Sequence, residues 1–294
     1  MSPGYEALHK GAAWIDVSNR GRILARGRDR TRLLHNITSN DVKKMTPGTS
    51  AYAFLLNPQG RIQADLHLLC LEDRFLIDTE PEVREKVLLH IKRYIIADQV
   101  ELEDVTATTA AIGVEGPGAN QITPPDGLAT AAFTLTGQPG YRLYCDVGAK
   151  AKVIAGLEGA GAIQAGEDDA RVVRIENGRP RYGEDIRDTS LIQETQQMHG
   201  VSFSKGCYIG QEIVERVRAQ GHVNKKLVRV EIEGREPLAP GAKLTGNGAE
   251  AGEITSSVYS PAADKVLGMA IVRTAFAGAG SAMESQARRV LVLN

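Results

Sequence analysis

An α+β body followed by a small all-β unit is the fold class this sequence predicts, and three observations carry it. Residues 61–71 alternate apolar and polar behind a turn signal, which is a β-hairpin pattern. Residues 80–95 carry apolar side chains at helical spacing. Beyond Gly221 to Lys226 only short strand patterns separated by Gly- and Pro-containing turns remain. A body of this kind is not the regular βα alternation of a parallel-sheet protein.

Along the chain, Tyr52 to Leu56 reads as a strand, and Asn57-Pro58-Gln59-Gly60 as the turn. In the strand that follows, Ile62, Ala64, Leu66, Leu68 and Cys70 share one face, and Arg61, Gln63, Asp65 and His67 the other. Phe75 to Ile77 is a further short strand. Thr79-Glu80-Pro81-Glu82 then gives a capping-box pattern with Pro near the helix start, and Val83, Val87, Leu88, Ile91 and Ile95 form the apolar stripe. Val100 to Val105 and Ala110 to Glu115 read as strands, with a Gly116-Pro117-Gly118 turn. Tyr141 to Val147 alternates again, placing Cys145 in the core, as the hairpin alternation does for Cys70. Lys150 to Leu157 is helical. In the last third, Leu227–Ile232, Lys243–Thr245, Glu253–Tyr259, Val266–Val272 and Val290–Leu293 are short strands of a barrel or sandwich.

The whole-chain properties narrow the function classes. The chain has 294 residues, a net charge of −1 and only 5% aromatic residues, which argues against a nucleic-acid-binding surface. No apolar run approaches the roughly 18 residues of a membrane span, and the first residues lack a signal-peptide core, so a cytoplasmic protein is expected. Three cysteines without a Cys-x-x-Cys pair predict neither a disulfide framework nor a zinc site. The six histidines lack metal-ligand spacing, and no Walker loop or dinucleotide fingerprint is present.

Three segments could carry chemistry. Cys207 lies between Gly206 and Gly210, with Lys205 nearby and a helical pattern from Ile209 to Ala219. A thiol at a helix start beside a lysine is favoured as thiolate, whereas a small Cys between glycines also suits a core. The segment 174–185 offers Glu176, Tyr182, Glu184 and Asp185, acceptors suited to the amine-rich edge of a pterin, or a polar loop paired with its own arginines. Residues Arg20 to Arg32 contain six arginines and one acid, read as a solvated helix face or an anion-attracting cluster.

Ser202 to Glu212, with its core Lys205-Gly206-Cys207-Tyr208-Ile209-Gly210-Gln211-Glu212, resembles the signature of YgfZ-type folate-binding proteins. Arg174-Ile175-Glu176 through Tyr182-Gly183-Glu184-Asp185-Ile186 resembles a segment of glycine-cleavage T-proteins, as do Leu34 to Val42 and Leu56 to Ile62. The resemblance implies a GcvT-like folate-binding body with ferredoxin-like halves over residues 1–222, and a small C-terminal β-barrel over 223–294. It implies tetrahydrofolate, or a one-carbon derivative, as cofactor in a central opening. Glu176 would anchor the pterin, with Tyr182 and Asp185 beside it. Lys205 and Arg216 would supply positive potential near Cys207 or to the folate glutamate, and Asn57 and Arg61 would sit at the rim. It further implies an accessory role in assembly or repair of iron–sulfur enzymes, including a tRNA-modifying one, with Cys207 as the functional thiol and client iron–sulfur proteins as partners of a monomer. The alternative is a folate-dependent aminomethyl or one-carbon transferase. The sequence departs from T-proteins where they place a transfer aspartate after the strand at Phe75 to Ile77: the turn here offers Glu82 and Glu85 instead.

Overall fold

The expected hairpin forms as strands Ser50–Leu56 and Ile62–Cys70, and its tight turn needs Gly60 at φ +70°. The structure, a computed structural model, describes residues 1–293. Its first antiparallel sheet runs Ser50–Leu56, Ile62–Cys70, Arg74–Thr79, Gly21–Arg26, Glu101–Asp104 in spatial order. Helices Arg30–Ile37 and Arg84–Arg93 cover one face, burying Leu33, Leu34, Ile37, Val87 and Ile91 on Ile23, Leu66, Leu68 and Ile77. Side chains three and four residues apart on each helix make that contact, as the amphipathic pattern requires.

A second five-stranded sheet runs Ile163–Gln164, Ala13–Asp16, Thr109–Glu115, Gly140–Asp146, Ala129–Ala131. Only its Ala13–Asp16 and Ile163–Gln164 pair is parallel. Helix Lys150–Gly159 covers the outer face, with Val153 and Leu157 against Ile112, Val114 and Leu143. The inner faces of the two sheets meet in a shared core of Leu69, Leu76, Ile15, Ala111 and Tyr144, closed by helices Pro3–Lys10 and Glu167–Glu176. Two sheets with helical covers are the two halves that the sequence led us to expect.

The C-terminal unit is a closed six-stranded barrel, Lys225–Ile232, Lys265–Arg273, Ala249–Ser260, Lys243–Gly246, Ala282–Ser285, Arg288–Val292, sealed by pairing of its first and last strands. Alternate residues fill it, among them Val230, Ile232, Leu244, Ile254, Val266, Val272 and Val290. Ile175 of the body packs against Leu227, Val258 and Met269 of the barrel.

Two readings change. The Arg20–Arg32 cluster is not one solvated face: Arg20 and Arg22 are buried at and within strand Gly21–Arg26, and only residues from Arg30 are helical. Arg22, buried by hydrogen bonds to backbone carbonyls, made that strand look polar in sequence. The helix expected from Ile209 begins at Gln211, because Gly210 sits in the left-handed region at φ +80° and ends the preceding turn.

Candidate functional site

The polar face of strand Ile62–Cys70 does not look into solvent. Asp65 and His67 are only 5% and 9% exposed, because that face forms one wall of a cleft between the halves. The cleft encloses only about 30 Å³ before it opens to solvent, and Arg20, Tyr52, Glu80, Arg142, Arg179 and Gln197 also line it. It is built from both sheets and from the segment after helix Glu167–Glu176, so no single stretch of sequence contains it.

A buried ion network fixes the cleft from behind. Asp78, wholly buried, accepts from Arg20 Nε at 2.6 Å, Arg142 Nη1 at 2.9 Å and the Tyr144 hydroxyl at 2.9 Å. Burial alone would raise its carboxyl, but Arg142 and Arg20 outweigh that and hold it well below the usual range. Glu80 pairs with Arg20 and, at 3.0 Å, with Arg181.

Asp65 behaves in the opposite way. Burial, and then the nearby Glu80 charge, push its carboxyl up to about 6, against the pull of Arg20 and the Tyr52 hydroxyl. Burial, helped by Arg20 and Arg142, drives His67 well below its ordinary value, which keeps the imidazole neutral. His199 is lowered by burial and then by Arg179. Aromatic faces flank these groups: Tyr52 stacks on His199 at 5.1 Å between centroids, and His67 lies 4.3 Å from Phe133.

Four buried polar atoms in this cleft have no partner: Arg20 Nη2, Arg142 Nε, Asp65 Oδ1 and His67 Nδ1. Each such atom costs about 1–3 kcal/mol when left unpaired. Clustered donors and acceptors without partners, beside a carboxyl and an imidazole shifted by burial, are the marks of a ligand site. The set fits the donor and acceptor edges of a pterin, and the aromatic faces suit a planar ring.

The residues singled out in the sequence lie elsewhere. Glu176 ends its helix outside the cleft lining, where its carboxylate accepts from the Tyr5 hydroxyl at 2.6 Å and Ser260 Oγ at 2.6 Å and meets His9 Nε2 at 2.8 Å. Tyr182 is buried and donates to the Gln63 carbonyl at 2.7 Å, behind the strand that carries Asp65. Asp185 joins body to barrel: it pairs with Arg174 at 2.7 Å and accepts from Thr255 and Ser256 hydroxyls, both at 2.7 Å. Asn57 Oδ1 accepts the Arg61 amide at 2.9 Å, and Arg61 reaches the Thr189 carbonyl at 2.6 Å, so this pair braces the hairpin turn. Arg216 is exposed on helix Gln211–Gln220.

Cys207 is exposed and lies in the turn before that helix, three residues ahead of its Gly210 cap, not within the first helical turn. Two anchors flank it. Lys205 Nζ is buried and donates to the carbonyls of His35 and Thr38 at 2.5 Å each and of Asn40 at 2.9 Å. Tyr208 packs into the core with Phe54, Ile62 and Tyr182. Burial pulls Lys205 down to about 8, and its donors are committed to these carbonyls.

Neither Glu82 nor Glu85, the carboxylates weighed in place of a transfer aspartate, lines the cleft: Glu82 pairs with Arg181 at 2.5 Å, and Glu85 is exposed. The carboxyl that does line it, Asp65, comes from the hairpin. The alternation of residues 61–67 was the available signal, since it placed an acid and an imidazole on one face of a strand that turns out to be buried on both sides.

Known proteins of this architecture identify the scaffold. Residues 3–125 match the GCVT N-terminal domain, and residues 225–292 match the glycine cleavage T-protein C-terminal barrel domain. An aminomethyltransferase of Rubrobacter xylanophilus is 28% identical, covering 91% of this chain and 78% of that protein. A chloroplast protein of Arabidopsis thaliana named as a transferase is 25% identical across 85% of this chain, which spans 63% of that protein's length. The crystal structure of the glycine cleavage system aminomethyltransferase T from Bartonella henselae superposes with a TM-score of 0.90 at 19% identity, covering 99% of this chain and 87% of that one. The chain thus carries a GCVT N-terminal domain followed by a glycine cleavage T-protein C-terminal barrel domain.

Proposed function

We propose that the chain binds a reduced folate in the cleft between its halves and transfers a one-carbon unit of the aminomethyl kind, with Asp65 as the group that holds the proton at the reacting nitrogen. The observation that carries this reading is the state of Asp65: buried, raised to about 6, bonded on one oxygen and free on the other. A carboxyl in that range can exist in either form near neutral pH, which is what a proton-handling group needs. When bound, tetrahydrofolate supplies the nitrogens that carry the one-carbon unit. The unpaired Arg20 Nη2 and Arg142 Nε offer donors to the ring's oxygen and nitrogen acceptors, while the Tyr52 ring, backed by His199, provides a flat wall. Neutral His67 adds no competing charge. The aminomethyltransferases among the relatives support the same chemistry. The test is tetrahydrofolate binding by fluorescence quenching, followed by turnover with an aminomethyl donor. Asp65→Asn should keep binding and lose turnover, and an equally active Asp65→Asn would refute the role.

A second reading rests on Cys207. The thiol is exposed on a turn pinned on one side by the Lys205 ammonium and on the other by the Tyr208 ring. A pinned, outward thiol suits contact with another protein, as in an accessory factor for client iron–sulfur enzymes. Cys207→Ala should leave folding and folate binding intact while failing to complement an iron–sulfur enzyme defect. Full complementation would remove this reading.

A further inference from the structure

Five arginines line the cleft, and four of them answer to carboxylates. Arg20 meets Asp78 at 2.6 Å and also Glu80, while Arg142 meets Asp78 at 2.9 Å. Arg174 meets Asp185 at 2.7 Å and Glu184 at 2.5 Å, and Arg181 meets Glu80 at 3.0 Å and Glu82 at 2.5 Å. Among the described residues, the Arg179 guanidinium has no ion pair and no hydrogen bond.

Its backbone is nevertheless fixed. The Arg179 amide donates to the Arg174 carbonyl at 2.9 Å, and its own carbonyl accepts from Arg174 Nη1 at 2.7 Å. The unpaired cation is therefore presented by a held turn. Its charge reaches the cleft, since it helps to lower both His67 and His199. In the same cleft Asp65 Oδ1 has no donor. A free guanidinium and a free carboxyl oxygen in one small space are complementary to a ligand that carries a carboxylate and an amine together.

We propose that the cleft takes a small amino acid, a free α-amino acid or an N-alkyl derivative, whose carboxylate is held by Arg179 and whose amine turns to Asp65. This rests on the one-carbon reading above, and it names the class of amine that would give or take the one-carbon unit. Arg179 is then the residue that selects for the carboxylate.

The test titrates glycine into the full chain by calorimetry, with and without 5-formyltetrahydrofolate, with acetate and methylamine as single-charge probes. Glycine should bind more tightly than either probe. Arg179→Met should weaken glycine by about tenfold or more, as loss of a charge-assisted contact does, and Arg179→Lys should recover part of it. Folate affinity should be unchanged in both variants. Glycine binding that is absent in the wild type or unaffected by Arg179→Met overturns the proposal. So does a loss confined to folate affinity, which would make the carboxylate the folate's own. Glycine bound as expected by a protein that binds no folate would instead defeat the one-carbon reading and leave the Arg179 assignment standing.

Discussion

The Tyr52 hydroxyl donates to Asp65 Oδ2 at 2.9 Å, while Oδ1 of the same carboxyl meets no protein donor. That half-satisfied state ties the chemistry of the cleft to the stability of the fold, because a carboxyl raised from 3.8 to about 6 favours the protonated, folded form.

The stabilisation from Asp65 is complete below about pH 4 and is lost as pH rises through about 6. Asp65→Asn should therefore be more stable than wild type near neutral pH, by up to about 3 kcal/mol, and the two should converge in acid. Melting curves across that range decide it. The pH profile of kcat/KM should carry a limb near 6 that reports the same group.

Asp185→Ala removes a buried carboxylate that four partners share, the Arg181 amide among them. It leaves the Arg174 guanidinium with Glu184 as its only carboxylate and removes the acceptor of the Thr255 and Ser256 hydroxyls of the barrel. A loss of about 3–5 kcal/mol is expected from breaking a buried pair. Calorimetry should show the barrel melting apart from the body, where the wild type melts as one unit.

Lys205→Met keeps the length of the side chain and removes its donors. Two buried carbonyls, those of His35 and Thr38, and the half-buried Asn40 carbonyl then lose a partner, which should cost about 2–4 kcal/mol. Hydrogen exchange in residues 35–40 and 202–210 should rise together, because the ammonium is the tie between those segments.

Cys207→Ser should leave the melting temperature and tetrahydrofolate affinity unchanged, since the thiol is exposed and outside the cleft lining. Thiol-specific labelling should modify Cys207 first. Cys70 and Cys145 are both buried and raised by burial, so they should react only on unfolding.

Local pattern made much of this architecture legible. The 52–71 hairpin, the helix around Val87 and Ile91 and most barrel strands follow from periodicity, because each has one face on a core. Strand Gly21–Arg26 did not, since Arg22 is buried by hydrogen bonds to the Ser18, Arg20, Thr106 and Thr109 carbonyls. The motif around Cys207 marked a structured turn, but the cleft gathers Arg20, Tyr52, Asp65, Arg142 and Arg179 from distant segments. Only the tertiary fold brings them together, and no spacing along the chain encodes it. The paired roles of Asp65 and Asp78 illustrate the limit. Both are buried aspartates on neighbouring strands, and the placement of Arg20, Arg142 and Glu80 sets their charges apart.

The C-terminal barrel closes when strand Arg288–Val292 pairs with Lys225–Ile232, the first strand of the unit. During synthesis that seam stays open until the final strand has left the ribosome. The body can collapse earlier, but the Thr255 and Ser256 hydroxyls that engage Asp185 sit on a strand whose partner Lys265–Arg273 arrives only after it. The nascent chain thus passes through an interval with an unsealed sheet edge and an unmatched buried carboxylate, the period in which it most needs protection from aggregation.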